Sequence, residues 1–323
     1  MAVMRNCSDQ GVLAAQLLVW FHAQARDLPW RRTRDPYRVL VSEVMLQQTQ
    51  VARVEQSYLA FVERFPTLDA LAGAPTAAVV EQWQGLGYNR RAVNLQRTCR
   101  TIVERHGGEV PASLQALLAL PGVGPYTARA LLVFAFEQPV AAVDVNVARV
   151  LQRALAGRQL PAHERQAMAD ALVAAEPWAT AQGLMELGAR FCTARRPNCV
   201  DCPVRTACAW RQAGAPAPDP VEPRARASEP GGGDPRARKP AQRFEDTDRY
   251  HRGRLLDALR AGPVPAGEVR SAARTDDAHR AQRLADALVS EGLAEWWLGT
   301  LTLPERHPER PSEPVRPAAT EIT

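Results

Sequence analysis

Apolar residues recur at three- and four-residue steps through most of the first 212 positions, and strand-like alternation is weak. Val51, Val54, Tyr58, Phe61 and Val62 form one such stripe. Leu13, Leu17, Leu18 and Phe21 form another, which predicts an amphipathic helix. A secretory leader is a poorer reading of that stretch, because Gln16 interrupts the apolar run and little basic charge precedes it. Asp35-Pro36 supplies a cap and a proline for the first turn, opening a helix over 37–46. Further helices are expected over 67–73, 76–83, 89–106, 113–119, 125–136, 145–156, 162–174 and 181–190. The pattern predicts a mainly α domain over 1–212.

The pattern breaks after that. Residues 213–242 contain seven prolines and four glycines and read as a disordered linker. Periodicity returns over 243–304, with helices expected at 250–260, 266–273 and 278–291 and a short hairpin within 293–303. Three helices and a hairpin fit a small α+β, winged-helix-like domain, with another small helical unit as the alternative, and 305–323 read as a disordered tail. No apolar run is long enough to span a membrane, and a cytoplasmic protein without membrane contact is expected.

Composition narrows the chemistry. Of 40 basic residues 39 are arginine, and Lys239 is the sole lysine, so a Schiff-base mechanism has no amine in the first 238 residues. Residues 1–212 carry 23 basic and 17 acidic side chains, against 17 and 18 in the remainder. The positive charge, +6 against −1, therefore belongs to the first domain, and a near-neutral C-terminal domain is expected to have no strong phosphate-binding role.

Cys192, Cys199, Cys202 and Cys208 lie within 17 residues, with only one Cys-x-x-Cys pair. Structural zinc usually takes two close pairs, whereas four unevenly spaced thiolates without histidine suit a [4Fe–4S] cluster. Arg195 and Arg196 would form a basic prong on the loop beside it. Leu120-Pro121-Gly122-Val123-Gly124-Pro125 joins two helices, a geometry that can offer backbone N–H groups to a phosphate or serve as a plain tight turn. Asp144 follows the apolar run 140–143 and precedes a helix, so its simplest role is an N-cap. Its functional alternative is a carboxylate facing a reacting cation.

Together these features resemble the helix-hairpin-helix DNA glycosylase superfamily, and within it the adenine, MutY-like branch. The resemblance covers roughly 12–212 and rests on Leu28-Pro29-Trp30-Arg31, Ser42 to Val51, Gly85-Leu86-Gly87-Tyr88, the hairpin, Val143-Asp144 and the cysteines. It implies a two-lobed glycosylase domain that removes adenine opposite 8-oxoguanine or guanine in double-stranded DNA, acting as a monomer in base excision repair. It also implies one [4Fe–4S] cluster on Cys192, Cys199, Cys202 and Cys208, and a monovalent cation where the hairpin meets phosphate.

Removing an undamaged purine calls for a general acid, and Glu43, in an apolar helix setting, suits protonation of the adenine ring. By the resemblance Asp144 would stabilise the oxocarbenium-like sugar, oriented by Tyr126 and Asn146. Gln48 and Tyr88 would enter the duplex beside the widowed base, with Thr49, Gly122 and Gly124 also touching DNA. Leu28, Trp30, Arg31 and Glu186 would line the base pocket. Bifunctional relatives carry a catalytic lysine at the position of Tyr126, so a monofunctional enzyme that leaves an abasic site is expected. Two departures stand out: Val145 occupies a position where the family pattern has glycine, and about 60 residues after the linker are too few for the Nudix-like domain of many MutY proteins. A thymine (T·G) mismatch glycosylase and a non-catalytic DNA-binding protein are the rival readings.

Overall fold

A computed structural model describes residues 7–214 and 243–306. Nearly all of the first stretch is helical. In chain order the helices are α1 (Cys7–Gln24), α2 (Pro36–Leu46), α3 (Val51–Arg64), α4 (Leu68–Gly73) and α5 (Thr76–Gln82). There follow α6 (Arg90–His106), α7 (Leu114–Leu118), α8 (Pro125–Phe134), α9 (Val145–Val150), α10 (Ala162–Leu172), α11 (Pro177–Arg190) and α12 (Ala209–Gln212). The second stretch adds α13 (Asp248–Ala261), β1 (Val264–Pro265), α14 (Val269–Ala272), α15 (Ala278–Ser290), β2 (Glu295–Trp297) and β3 (Thr300–Thr302). The linker and most of the tail expected from sequence, with Lys239, lie outside the described residues. Among the described residues no helix is long and apolar enough to cross a membrane.

Among the described residues, 7–69 and 97–214 form one compact unit, and 70–96 with 243–306 form another. The expected first domain, 1–212, thus gives up 70–96 to the second unit. Burial explains why. Ala77, Val80 and Val93 pack into one core with Leu255, Leu256, Leu259, Leu288 and Leu301. Polar contacts reinforce it: the Thr76 backbone N–H donates to the Glu305 carboxylate at 2.7 Å, and Arg260 donates to the Val80 carbonyl and the Asn89 side chain.

Local rules account for the helix ends. The Asp35 carboxylate accepts from the Arg38 N–H at 2.7 Å to cap α2. Asp144 caps α9, and Thr247 and Asp277 cap α13 and α15. The amphipathic N-terminal helix buries Leu13, Leu17 and Phe21 and packs on α11. The helix expected over 181–190 starts four residues earlier, with Pro177 in its first turn. The helix expected over 145–156 is α-helical only to Val150; a wider π-helical stretch, Leu151–Ala156, follows and ends on Gly157 at φ 63°.

In the second unit, three strands form an antiparallel sheet in the order β1-β3-β2. The expected hairpin is β2–β3, turned by Leu298-Gly299 at φ 47° and 76°, the paired positive φ of a tight hairpin. Strand β1 has two residues and is too short for its alternation to be read from sequence. Helices α13, α14 and α15 with this sheet give the winged-helix-like arrangement expected.

Candidate active site

In the first unit, α2, the 3-10 turn Pro29–Arg32, the start of α8, the cap of α9 and the inner face of α11 surround a cavity of about 610 Å³. Glu43 and Asp144 both line it, as do Leu28, Trp30, Arg31, Thr49, Tyr126, Asn146 and Glu186. These residues span more than 150 positions in sequence, and the fold brings them to one site.

Glu43 sits midway along α2 and is almost fully buried. Burial pushes its carboxyl up to about 7; a hydrogen bond from Tyr126 works against the shift and the nearby Asp144 charge adds to it. Tyr126, at the start of α8, is itself held well above its usual range by burial and then by the two carboxylates. The Tyr126 hydroxyl thus serves Glu43, whereas the sequence reading assigned it to orienting Asp144.

Asp144 is anchored from two sides. One carboxylate oxygen accepts from the Asn146 and Val147 backbone N–H groups at 2.9 and 2.7 Å. The other accepts from the Asn146 side-chain amide at 2.9 Å. It is both the cap of α9 and part of the cavity wall. The extended segment before it is clamped by Asp170, whose carboxylate accepts from the Ala141 N–H at 2.7 Å and pairs with Arg129. Val145 is exposed at the first helical position, where its side chain meets no obstruction from the buried core.

A chain of hydrogen bonds leads from Asp144 to the cysteine loop. The Asn146 side-chain oxygen accepts from Arg149 at 2.8 Å. The same guanidinium donates to the carbonyls of Gly188 and Cys192. Arg153 donates to the carbonyls of Thr193 and Ala194 at 2.8 and 3.0 Å. Cys192, Cys199, Cys202 and Cys208 line one cavity with Leu187, Phe191 and Trp210. Among the described residues no group of three or more His, Cys, Asp or Glu side chains is arranged to hold a metal ion. The four thiols face a shared space.

The far wall is polar and fully engaged. Glu186 has no exposed surface and receives Arg26 at 2.7 and 2.8 Å and Arg31 at 2.9 Å. Burial pushes its carboxyl up, but the hydrogen bonds and charges of Arg26 and Arg31 outweigh that and hold it below the usual range. Gln182, one turn earlier on α11, accepts from Arg31 at 2.8 Å. Sequence reasoning missed Arg26, Gln182 and Asp170; the four-residue step from Gln182 to Glu186 was the available signal for one of them. Helix α11 also lies very close to α9. A Cβ added at Gly188 would stand 2.8 Å from the Asn146 Cβ and 3.0 Å from its carbonyl oxygen. Gly188→Ala is therefore expected to destabilise the fold by about 1–3 kcal/mol through overpacking, read as a lowered thermal midpoint.

The remaining expected residues lie apart from the cavity lining. Gln48 follows α2 at φ 56°, in the left-handed region that a non-glycine residue seldom adopts. Gly122, at φ 79°, and Gly124, the N-cap of α8, form the hairpin between α7 and α8, with Pro125 in the first turn. Tyr88 belongs to the second unit, at φ 45° and half exposed.

Comparison with known proteins is consistent with this geometry. The family model of the HhH-GPD superfamily base excision DNA repair proteins matches residues 41–177. An adenine DNA glycosylase of Mycobacterium tuberculosis is 44% identical over 88% of this chain and 91% of that protein. One from Homo sapiens is 42% identical over 65% of this chain and 41% of its own length. Among solved structures, a thermostable thymine-DNA glycosylase superposes with a TM-score of 0.59 at 30% identity, covering 64% of this chain and 98% of that one.

Proposed function

This chain belongs to the adenine DNA glycosylase family of the helix-hairpin-helix superfamily, and on that footing we propose that it excises adenine paired with 8-oxoguanine or guanine in duplex DNA. The observation that carries the proposal is the pair of unlike carboxyls in one cavity. Glu43 is buried and, with its carboxyl pushed up to about 7, keeps a proton near neutral pH. Asp144 is held by three hydrogen bonds, two from backbone N–H groups and one from the Asn146 side-chain amide. The proton on Glu43 is delivered to the adenine ring as the N-glycosidic bond breaks, so that adenine leaves neutral. The Asp144 carboxylate faces the positive charge that builds on the sugar, and water completes hydrolysis. Asn146 fixes the angle of Asp144, and Tyr126 fixes Glu43.

Leu28, Trp30 and the Arg31–Glu186 pair would receive the extruded base, with one apolar side and one side of fixed dipoles. Gln48, Thr49, Tyr88 and the hairpin glycines would contact the duplex. A tyrosine at position 126 and the lack of lysine in residues 1–238 support a monofunctional enzyme without lysine-based strand nicking. The four cysteines share one cavity, and their uneven spacing without histidine suits a [4Fe–4S] cluster better than a single zinc ion. Bound there, it would cross-link the loop 192–208. Assay of iron and acid-labile sulfide, at about four of each per chain, tests this.

The deciding experiment is single-turnover base release from duplexes with one central A·8-oxoG, A·G, A·T or T·G pair, followed by alkali. Cleavage of the adenine strand opposite 8-oxoG and G, and only after alkali, is expected. Cleavage confined to T·G would move the chain to the thymine specificity of its structural neighbour.

A further inference from the structure

The second unit contains a cavity of about 590 Å³. Its walls come from the segment 87–94 and from α13 with its approach, far apart in sequence. Four guanidinium groups line it, those of Arg90, Arg91, Arg249 and Arg252, against one carboxylate, Glu291. Glu291 is occupied by a two-pronged pair with Arg252 at 3.0 and 2.7 Å. Arg90 and Arg249 are exposed, and among the described residues neither forms an ion pair. Because Arg90 and Arg91 come from the segment 87–94, the near-neutral sum over residues 213–323 does not describe the charge at this cavity.

Two aromatic rings stand at the same cavity. Tyr88 is 50% exposed and Phe244 60%, unusual for rings of this size in a packed unit. The Arg249 guanidinium lies 5.4 Å from the Tyr88 ring centre and that of Arg91 5.7 Å. Tyr88 is also held in place. It takes φ 45° after Gly87 at φ 70°. Arg91 donates to the Leu86 and Gly87 carbonyls at 3.2 and 3.0 Å, and Trp83 donates to the Gly87 carbonyl at 3.2 Å. Arg260, on α13, secures the adjoining Asn89 at 2.9 Å. A strained, buttressed loop presenting an exposed ring is ordered in advance of its ligand.

Exposed guanidinium groups beside exposed aromatic rings match the two parts of a nucleotide, an anionic phosphodiester and a flat base. We propose that this cavity is a nucleotide-binding site for DNA, in which Arg90 and Arg249 hold one phosphodiester and the attached base lies against Tyr88 and Phe244. The inference rests on the DNA glycosylase reading and extends it: the C-terminal helix α13 becomes part of the DNA-binding surface.

The test uses the full chain in an Asp144→Asn background, so that bound DNA is not consumed. Binding of a fluorescein-labelled A·8-oxoG duplex is followed by anisotropy over a range of KCl concentrations. Arg90→Gln and Arg249→Gln are each expected to flatten the plot of log affinity against log salt by about 0.9, the signature of one lost phosphate contact. Phe244→Ala should weaken binding on the order of tenfold with the slope intact, as loss of base stacking does. Gly253→Glu should weaken binding strongly by placing an acid among the arginines, and the space beside Gly253 is open for a side chain. Arg270→Gln, at an exposed position of α14 outside the cavity, should leave the slope unchanged.

Unaltered slopes in both cavity arginine variants would overturn the site. So would an Arg270→Gln effect equal to theirs, which would make the loss one of general charge. Flattened slopes with a silent Phe244→Ala would overturn the nucleotide assignment. Failure of the wild type to release adenine would count against the adenine reading alone, because these slopes are measured without turnover.

Discussion

Glu43→Gln is expected to slow adenine release in single turnover by about 10²–10⁴-fold while leaving duplex affinity near that of the wild type. The amide has nearly the same shape and can still accept the Tyr126 hydrogen bond, but it has no proton to give. The wild-type rate should fall as pH rises through about 7, where the buried carboxyl ionises, and the variant should lose this limb. Stability should move in the same direction. Burial raises the Glu43 carboxyl from 4.5 to about 7, so between these values the native state holds a proton that the unfolded chain has released. Wild-type stability is complete with respect to this group below about pH 4.5 and declines as pH rises through 7, by about 3 kcal/mol in all. Glu43→Gln escapes that decline. Denaturant unfolding at pH 5 and pH 8 should show the variant gaining on the wild type at the higher pH. An equal difference at both values would remove the shifted carboxyl from the account.

Asp144→Asn is expected to lower the same rate by about 10²–10³-fold, with little change in the thermal midpoint. Asparagine caps a helix about as well as aspartate, so α9 should keep its start. The missing quantity is a negative charge opposite the developing cation. A fall in midpoint that accounts for the lost activity would mean that Asp144 acts only as a cap. Testing both carboxyls in this way separates what they do for chemistry from what they do for folding, which their positions alone entangle.

Much of this was legible in the residues because it depends on local rules. Asp35-Pro36, the stripe of Val54, Tyr58 and Phe61, and the apolar run before Asp144 each specify a cap, a face or an approach without help from distant parts of the chain. Glu43 was found through motif resemblance, since a glutamate within a helix carries no local sign of its burial. Three things escaped for a common reason. The grouping of 70–96 with the C-terminal residues depends on Val80 and Val93 meeting Leu255 and Leu256. The basic cavity depends on Arg90 and Arg249 lining the same space. The clamp on the segment before Asp144 depends on Asp170 reaching Ala141. In each case the meaning of a residue lies in a partner many positions away, and a count of charge or periodicity over a window averages it out.

Helix α11 carries the last consequence. Within two turns it presents Gln182 and Glu186 to the cavity and the bare backbone of Gly188 to Asn146. It therefore works as a ruler, with the base pocket marked at one graduation and the seat of Asp144 at the next. A helix turns about 100° and advances about 1.5 Å per residue. One residue inserted ahead of Gln182 would swing Glu186 away from its arginines and bring a side chain to the place now left bare. Substitutions along α11 can be absorbed one at a time, but its length cannot drift. Homologous enzymes that keep this site should vary in the composition of that helix and hold its spacing constant.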